Sequence, residues 1–247
     1  MVTIAEVSLW GELIGVVLWN EQLGYASFQY TPEFIQTGIE VSPILMPLSD
    51  RIYSFPELSS QTFLGMPGLL ADALPDRFGR ALLDQWLAMN NRIQANPVER
   101  LCYQGKRCMG ALEFAPAQNR GFDETSIIEV ASLVKVASDV LHNRAILQTN
   151  MGQPTEALMD IRRVGTSAGG QRAKAVIAYN DETKEVRSGQ LDAPKGFDYW
   201  LLKLDGVTNS QLGDPQHYGE IEYVYYLMAK EAGINMTECR LLHENNR

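Results

Sequence analysis

The stretch Gly165-Thr166-Ser167-Ala168-Gly169-Gly170 leads into Gln171-Arg172-Ala173-Lys174 and the apolar run Ala175 to Tyr179. Glycines let successive backbone N–H groups point at one anion, and a nearby lysine adds a full positive charge, which is how loops cradle nucleotide phosphates. It is not a Walker loop, because Lys174 is followed by Ala175 rather than Ser or Thr and opens a strand instead of a helix. On residue types alone, an ordinary glycine-rich hairpin turn fits as well.

Downstream, Tyr199-Trp200-Leu201-Leu202-Lys203-Leu204-Asp205 sets one lysine in an otherwise apolar run. A buried ammonium needs a partner, since it otherwise loses several kcal/mol of hydration or gives up its proton. Glu222, expected in the first turn of the next helix, is the candidate. A glycine-rich loop, a strand lysine and a helix glutamate follow the order of parts in a protein-kinase N-lobe, where the lysine holds nucleotide phosphates and the glutamate positions it. The alternative is a lysine reaching water at a strand end, with Glu222 on a solvent face.

These residues need a scaffold, and the 247-residue chain is long enough to supply one, with 45% hydrophobic residues. Apolar runs at Val2 to Trp10, Leu13 to Trp19 and Gly24 to Tyr30 predict a small antiparallel sheet. In the third run Ala26, Phe28 and Tyr30 alternate with Tyr25, Ser27 and Gln29, the period of a half-buried strand. Gly38 to Leu48 reads as a continuation of this β-rich region.

From Pro67 the period lengthens: Leu70, Leu74, Phe78, Leu82 and Trp86 recur every fourth residue, as on one helical face. Pro75 restricts the main helix to the residues from there to Asn91, and Pro67-Gly68 opens a separate short turn. A second helix is expected from about Thr125 to Leu141, with Ile127, Val130, Ala131, Val134, Ala137 and Leu141 on its stripe. The polar stretch Ala117 to Asp123 between them reads as a domain boundary, giving units at 1–117 and 118–247. Further on, Asn180-Asp181 is a turn, Phe197 to Leu204 a strand and Gly219 to Ala232 a helix closed by Gly233. Cys239 to His243 reads as strand-like, with Glu244-Asn245-Asn246 a turn signal.

A net charge of −9 repels nucleic acid, so no direct nucleic-acid binding is expected. Arg100, Lys106 and Arg107 are the one local basic group, and spread over eight residues they also fit a solvated face. Cys102, Cys108 and Cys239 form an odd set without metal-ligand spacing, which suits a reducing compartment. No run reaches the ~18 apolar residues that span a bilayer and the N-terminus has no signal-peptide pattern, so a cytoplasmic location is expected. His142 and His217 read as surface residues.

Four segments together resemble the HipA-type serine/threonine kinases, the toxins of toxin–antitoxin pairs. They are FLGMPGLLADALPDRFGRALLDQWL (63–87), NPVERLCYQGKRCMGALEF (96–114), VGTSAGGQRAKAVIAYN (164–180) and EYVYYLMAKEAGI (222–234). The resemblance spans nearly the whole chain in order. It implies an α+β chain: a small N-terminal β-rich subdomain with helices, then a protein-kinase-like N-lobe, with the helical C-lobe absent. By position, Ser167 matches the serine that autophosphorylates and ejects the loop, a change that adds nearly two negative charges to a phosphate site. Lys203 matches the nucleotide lysine. The backbone of Ala168, Gly169, Gly170, Gln171 and Arg172, with Lys174, would line the phosphates. Gln171 and Ala173 stand where relatives often carry Ala and Pro.

The cofactors implied are ATP and magnesium, the metal ligands lying in the missing lobe. The implied partner is a HipB-like helix-turn-helix antitoxin, and the implied substrate a translation component such as an aminoacyl-tRNA synthetase. No catalytic-loop pattern follows His142, His217 or His243, and no Asp-Phe-Gly follows Lys203. The expectation is therefore a partial kinase, inactive alone. The alternative is a non-catalytic module that pairs with a separate catalytic lobe or with the antitoxin, which requires an exposed apolar docking surface.

Overall fold

The computed structural model describes residues 2–89, 91–92, 94–106, 108, 110–117, 133, 137, 173–189, 192–205 and 217–242. They fall into two compact units. The first holds the described residues up to Asp76 and again from 91 to 117; the second holds 77–89, Leu133, Ala137 and the described residues from 173 onward.

The first unit is built on β1 (Ile4–Leu9), β2 (Glu12–Asn20) and β3 (Tyr25–Tyr30), joined by tight turns. With β4 (Tyr53–Ser54) and β5 (Leu112–Ala115) they make an antiparallel sheet of order β4-β3-β2-β1-β5. The expected alternation holds: Ala26, Phe28 and Tyr30 are buried, whereas Tyr25, Ser27 and Gln29 are not. Gly15 belongs to the buried side because a Cβ there would lie 2.4 Å from the Phe28 ring. Helix α1 (Pro32–Thr37) starts where the Thr31 hydroxyl accepts from the Phe34 N–H and Pro32 supplies the first-turn φ. It stops at Gly38, whose φ of +70° few other residues adopt without strain.

The residues after Gly38 do not continue the sheet. They form an irregular loop pinned by side chains, with Met46 buried, the Tyr30 hydroxyl donating to the Met46 carbonyl at 2.9 Å and the Tyr53 hydroxyl donating to the Pro47 carbonyl. Burial pushes the Tyr30 hydroxyl up to about 12, with Tyr53 and Glu40 adding to the effect.

Two short helices, α2 (Ser60–Phe63) and α3 (Gly68–Ala71), precede α4 (Arg77–Met89). The apolar stripe that recurs every fourth residue divides between two cores: Leu70 and Leu74 join the core under the first sheet, whereas Leu82, with Ala81 beside it, joins that of the second unit. The stripe changes partner on either side of Pro75. Helix α5 (Pro97–Gln104) is capped by Asn96, whose Oδ1 accepts from the Glu99 N–H at 2.8 Å. Glu99 is buried and meets Arg92 through two hydrogen bonds of 2.9 and 2.8 Å, while Arg92 also donates to the Tyr103 hydroxyl. This pairing was not legible from spacing.

In the second unit, β6 (Lys174–Tyr179), β7 (Val186–Ser188) and β8 (Asp198–Lys203) make an antiparallel sheet of order β7-β6-β8. Ala175, Ile177 and Val186 on one face share a core with Ala81, Leu82, Leu133 and Ala137. Leu133 and Ala137 are helical; the rest of the helix expected over 125–141, and residues 118–123 of the expected boundary, lie outside the described residues. Helix α6 (Tyr218–Glu231) follows, and Gly233 beyond it has a φ of +76°. Residues 239–242 are not in a strand, contrary to expectation. Among the described residues no helix is long and apolar enough to cross a membrane.

Candidate functional site

The antiparallel register of β6 and β8 places Lys174 directly across from Lys203, Val176 across from Leu201 and Ala178 across from Tyr199. Residues facing each other across a ladder share a face, so both lysines stand at one end of the sheet face opposite the apolar core. It is the end at which the Gly165 to Arg172 stretch enters β6. Lys174 is only 6% exposed, whereas Lys203 is half-exposed.

Lys203 Nζ lies 2.5 Å from Glu222 Oε2. Glu222 is on the second turn of α6 rather than the first, because the helix begins at Tyr218. The position of α6 is fixed locally as well: Asp205 Oδ2, two residues past Lys203, accepts from the Gly219 N–H at 3.3 Å. His217, with a φ of +55°, precedes the helix and lies 3.1 Å from Glu220. A half-exposed ion pair contributes at most about 1 kcal/mol to folding. Its consequence is orientation: the ammonium is held by a carboxylate from a separate element.

A second arrangement, missed in the sequence, anchors the segment after α6. The Arg240 guanidinium stacks over the Trp200 ring at 4.8 Å, pairs with Glu238 at 2.7 Å and bonds Asp181 in the β6–β7 turn. The hydrogen bond from Arg240 holds the Asp181 carboxyl below its ordinary value. Asp181 was legible as a turn residue, and Asn180 Oδ1 does accept from the N–H groups of Glu182 and Thr183; nothing local announced a partner 59 residues away.

The structure thus brings together Lys174, Lys203 and Glu222. Ser167, Ala168, Gly169, Gly170, Gln171 and Arg172 lie outside the described residues, as do Arg107, His142 and His243. Of the other basic residues noted in the sequence, Lys106 lies 3.7 Å from Glu113, and Arg100 Nε donates to the Ala95 carbonyl.

Comparison with known proteins decides what this arrangement belongs to. The HipA N-terminal domain matches residues 5–115, and the HipA-like C-terminal domain matches residues 166–247. The chain belongs to the HipA family. The HipA-like C-terminal match contains the glycine-rich stretch from Thr166 onward, both lysines and Glu222, so the expectation that the helical C-lobe is absent finds no support in it. Among solved structures, the chain is similar to HipA of Shewanella oneidensis MR-1 in a toxin–antitoxin complex with HipB and its operator DNA. The TM-score is 0.57 and the identity 18%, over 97% of this chain and 47% of that one. The chain therefore spans about half the length of that HipA, and at this identity the likeness is one of fold. No curated protein sequence matches.

Proposed function

We propose that this chain carries the nucleotide-holding part of a HipA-type serine/threonine kinase, the toxin of a cytoplasmic toxin–antitoxin pair. The observation that carries the reading is the 2.5 Å contact of Lys203 with Glu222, on a strand and a helix in the order a kinase N-lobe uses. In this reading Lys203 binds ATP phosphates, Glu222 positions its ammonium, and the backbone from Ala168 to Arg172, with Lys174, completes the anion cradle. Phosphorylation of Ser167 would place charge where the nucleotide phosphates bind and switch the site off. Magnesium would accompany the ATP, its ligands supplied by the catalytic lobe that completes a kinase. The protein phosphorylated would be a translation component such as an aminoacyl-tRNA synthetase. Calorimetry with ATP and magnesium tests the reading: binding that Lys203→Ala abolishes supports it, and binding that survives the substitution refutes it.

A second reading, a module completed by a separate catalytic lobe and held by a HipB-like antitoxin, is favoured by the surface of α6. Ile221, Val224, Tyr225 and Met228 recur at helical spacing, yet are between 46% and 66% exposed, and α6 has no buried residue. Soluble surfaces seldom leave such a stripe uncovered. On this reading the chain alone associates or precipitates, stays inactive, and gains solubility when Tyr225→Ser and Met228→Ser shorten the stripe; unchanged monodispersity in both forms would sink it.

A further inference from the structure

Helix α6 begins without a cap of its own. His217, in the N-cap position, has a left-handed backbone and its side chain makes no capping hydrogen bond, which leaves the first-turn N–H groups to find acceptors elsewhere. One acceptor comes from outside the helix. Asp205, in the turn that follows β8, places Oδ2 3.3 Å from the Gly219 nitrogen, and a carboxylate there also suits the positive end of the helix dipole. A Cβ at position 219 would lie 3.6 Å from the same oxygen, an ordinary contact, so the approach does not depend on glycine.

The location of this bond gives it a second effect. Gly219 and Glu222 are three residues apart and so lie on one side of α6, while Asp205 is two residues beyond Lys203. The exit of β8 and the start of α6 are therefore joined twice, by Asp205 to Gly219 and by Lys203 to Glu222, with about one helical turn between the joints. A helix joined to a strand at one point can roll about its axis; joined at two points on one side, it cannot. No residue of α6 is buried, so core packing does little to resist that roll, and the tie made by Arg240 lies beyond the far end of the helix. An exposed hydrogen bond adds little stability, yet closing the inner joint keeps the Glu222 carboxylate at a high effective concentration beside the Lys203 ammonium.

We propose that Asp205 is a positioning residue: by accepting from the Gly219 N–H it holds α6 in the rotation that presents Glu222 to Lys203. The consequence for nucleotide affinity rests on the function proposed above; the positioning itself does not.

The test compares the full chain with Asp205→Ala, Asp205→Asn, Glu222→Gln and the Asp205→Ala/Glu222→Gln double variant in two measurements. Without nucleotide, the acylation rate of Lys203, followed by mass spectrometry, reports its pairing, because a carboxylate partner keeps the amine protonated and unreactive. Asp205→Ala and Glu222→Gln should each raise that rate several-fold, the double variant should react no faster than Glu222→Gln, and Asp205→Asn, which keeps an acceptor oxygen, should stay near the unaltered chain. With ATP and magnesium, calorimetry should show Asp205→Ala binding about two- to tenfold more weakly, the range open to one hydrogen bond, and the double variant binding no more weakly than Glu222→Gln. A Lys203 rate unchanged by Asp205→Ala, an Asp205→Asn variant that behaves like Asp205→Ala, or a double variant worse than Glu222→Gln in either measurement would each overturn the proposal. So would an affinity that depends on Lys203 and is indifferent to Asp205→Ala. Absence of ATP binding in the unaltered chain would refute the nucleotide reading alone, and the acylation rates would then support or overturn the positioning by themselves.

Discussion

The two units use their sheets in different ways. The first packs one sheet face with residues buried almost completely, Val7, Val17, Phe28, Leu70 and Leu101 among them, and fixes its loops with buried polar contacts such as Arg92 with Glu99. The second packs one face on Ala81, Leu82, Leu133 and Ala137, and stands Lys174 and Lys203 on the other. Its helix α6 meets Lys203 through a half-exposed charge pair while burying none of its own residues. Core packing gives a unit its stability, whereas a half-exposed charge pair such as Lys203 with Glu222 contributes little to it.

Substitutions that separate these roles should differ widely in cost. Phe28→Ala removes a fully buried ring and should destabilise the chain by about 3–5 kcal/mol in chemical denaturation. Arg92→Ala would strand the buried Glu99 carboxylate and should cost a comparable ~3–5 kcal/mol. Alkali sharpens the contrast within the first unit. The Tyr30 hydroxyl is raised from 10.0 to about 12, so the folded state binds the proton more tightly than the unfolded one. The stability that this supplies is complete below pH 10 and is lost as pH rises toward about 12; Tyr30→Phe should flatten that part of the pH–stability curve. At the small end, Tyr225→Ser on α6 should change stability by no more than about 0.5 kcal/mol, since it removes no buried contact. A large loss there would show that α6 is packed after all.

The same contrast explains what the sequence revealed. Alternation from Tyr25 to Tyr30 and the break at Pro75 are local signals, and each appears where expected. The pairing of Lys203 with Glu222 was legible because strand and helix follow each other closely in the chain. Gly38 to Leu48 was misread because side-chain contacts such as the Tyr30 and Tyr53 hydroxyls on the Met46 and Pro47 carbonyls, and Glu40 on the Leu48 N–H, are encoded by no periodicity. That Lys174 faces Lys203 depends on the register of two strands separated by β7, and that Arg240 stacks on Trp200 depends on the path after α6. Apolar spacing along α6 does not say whether its stripe is buried or uncovered; tertiary structure shows Ile221, Val224, Tyr225 and Met228 exposed.

The central claim is that Lys203 and Glu222 act on a nucleotide as one unit, and a double-mutant cycle on ATP–magnesium affinity tests it most directly. Lys203→Met and Glu222→Gln should each weaken binding, with Lys203→Met the more damaging, and the double variant should bind no more weakly than Lys203→Met alone, because Glu222 works only through the lysine. Fully additive losses, or an unchanged affinity in Lys203→Met, would contradict the account.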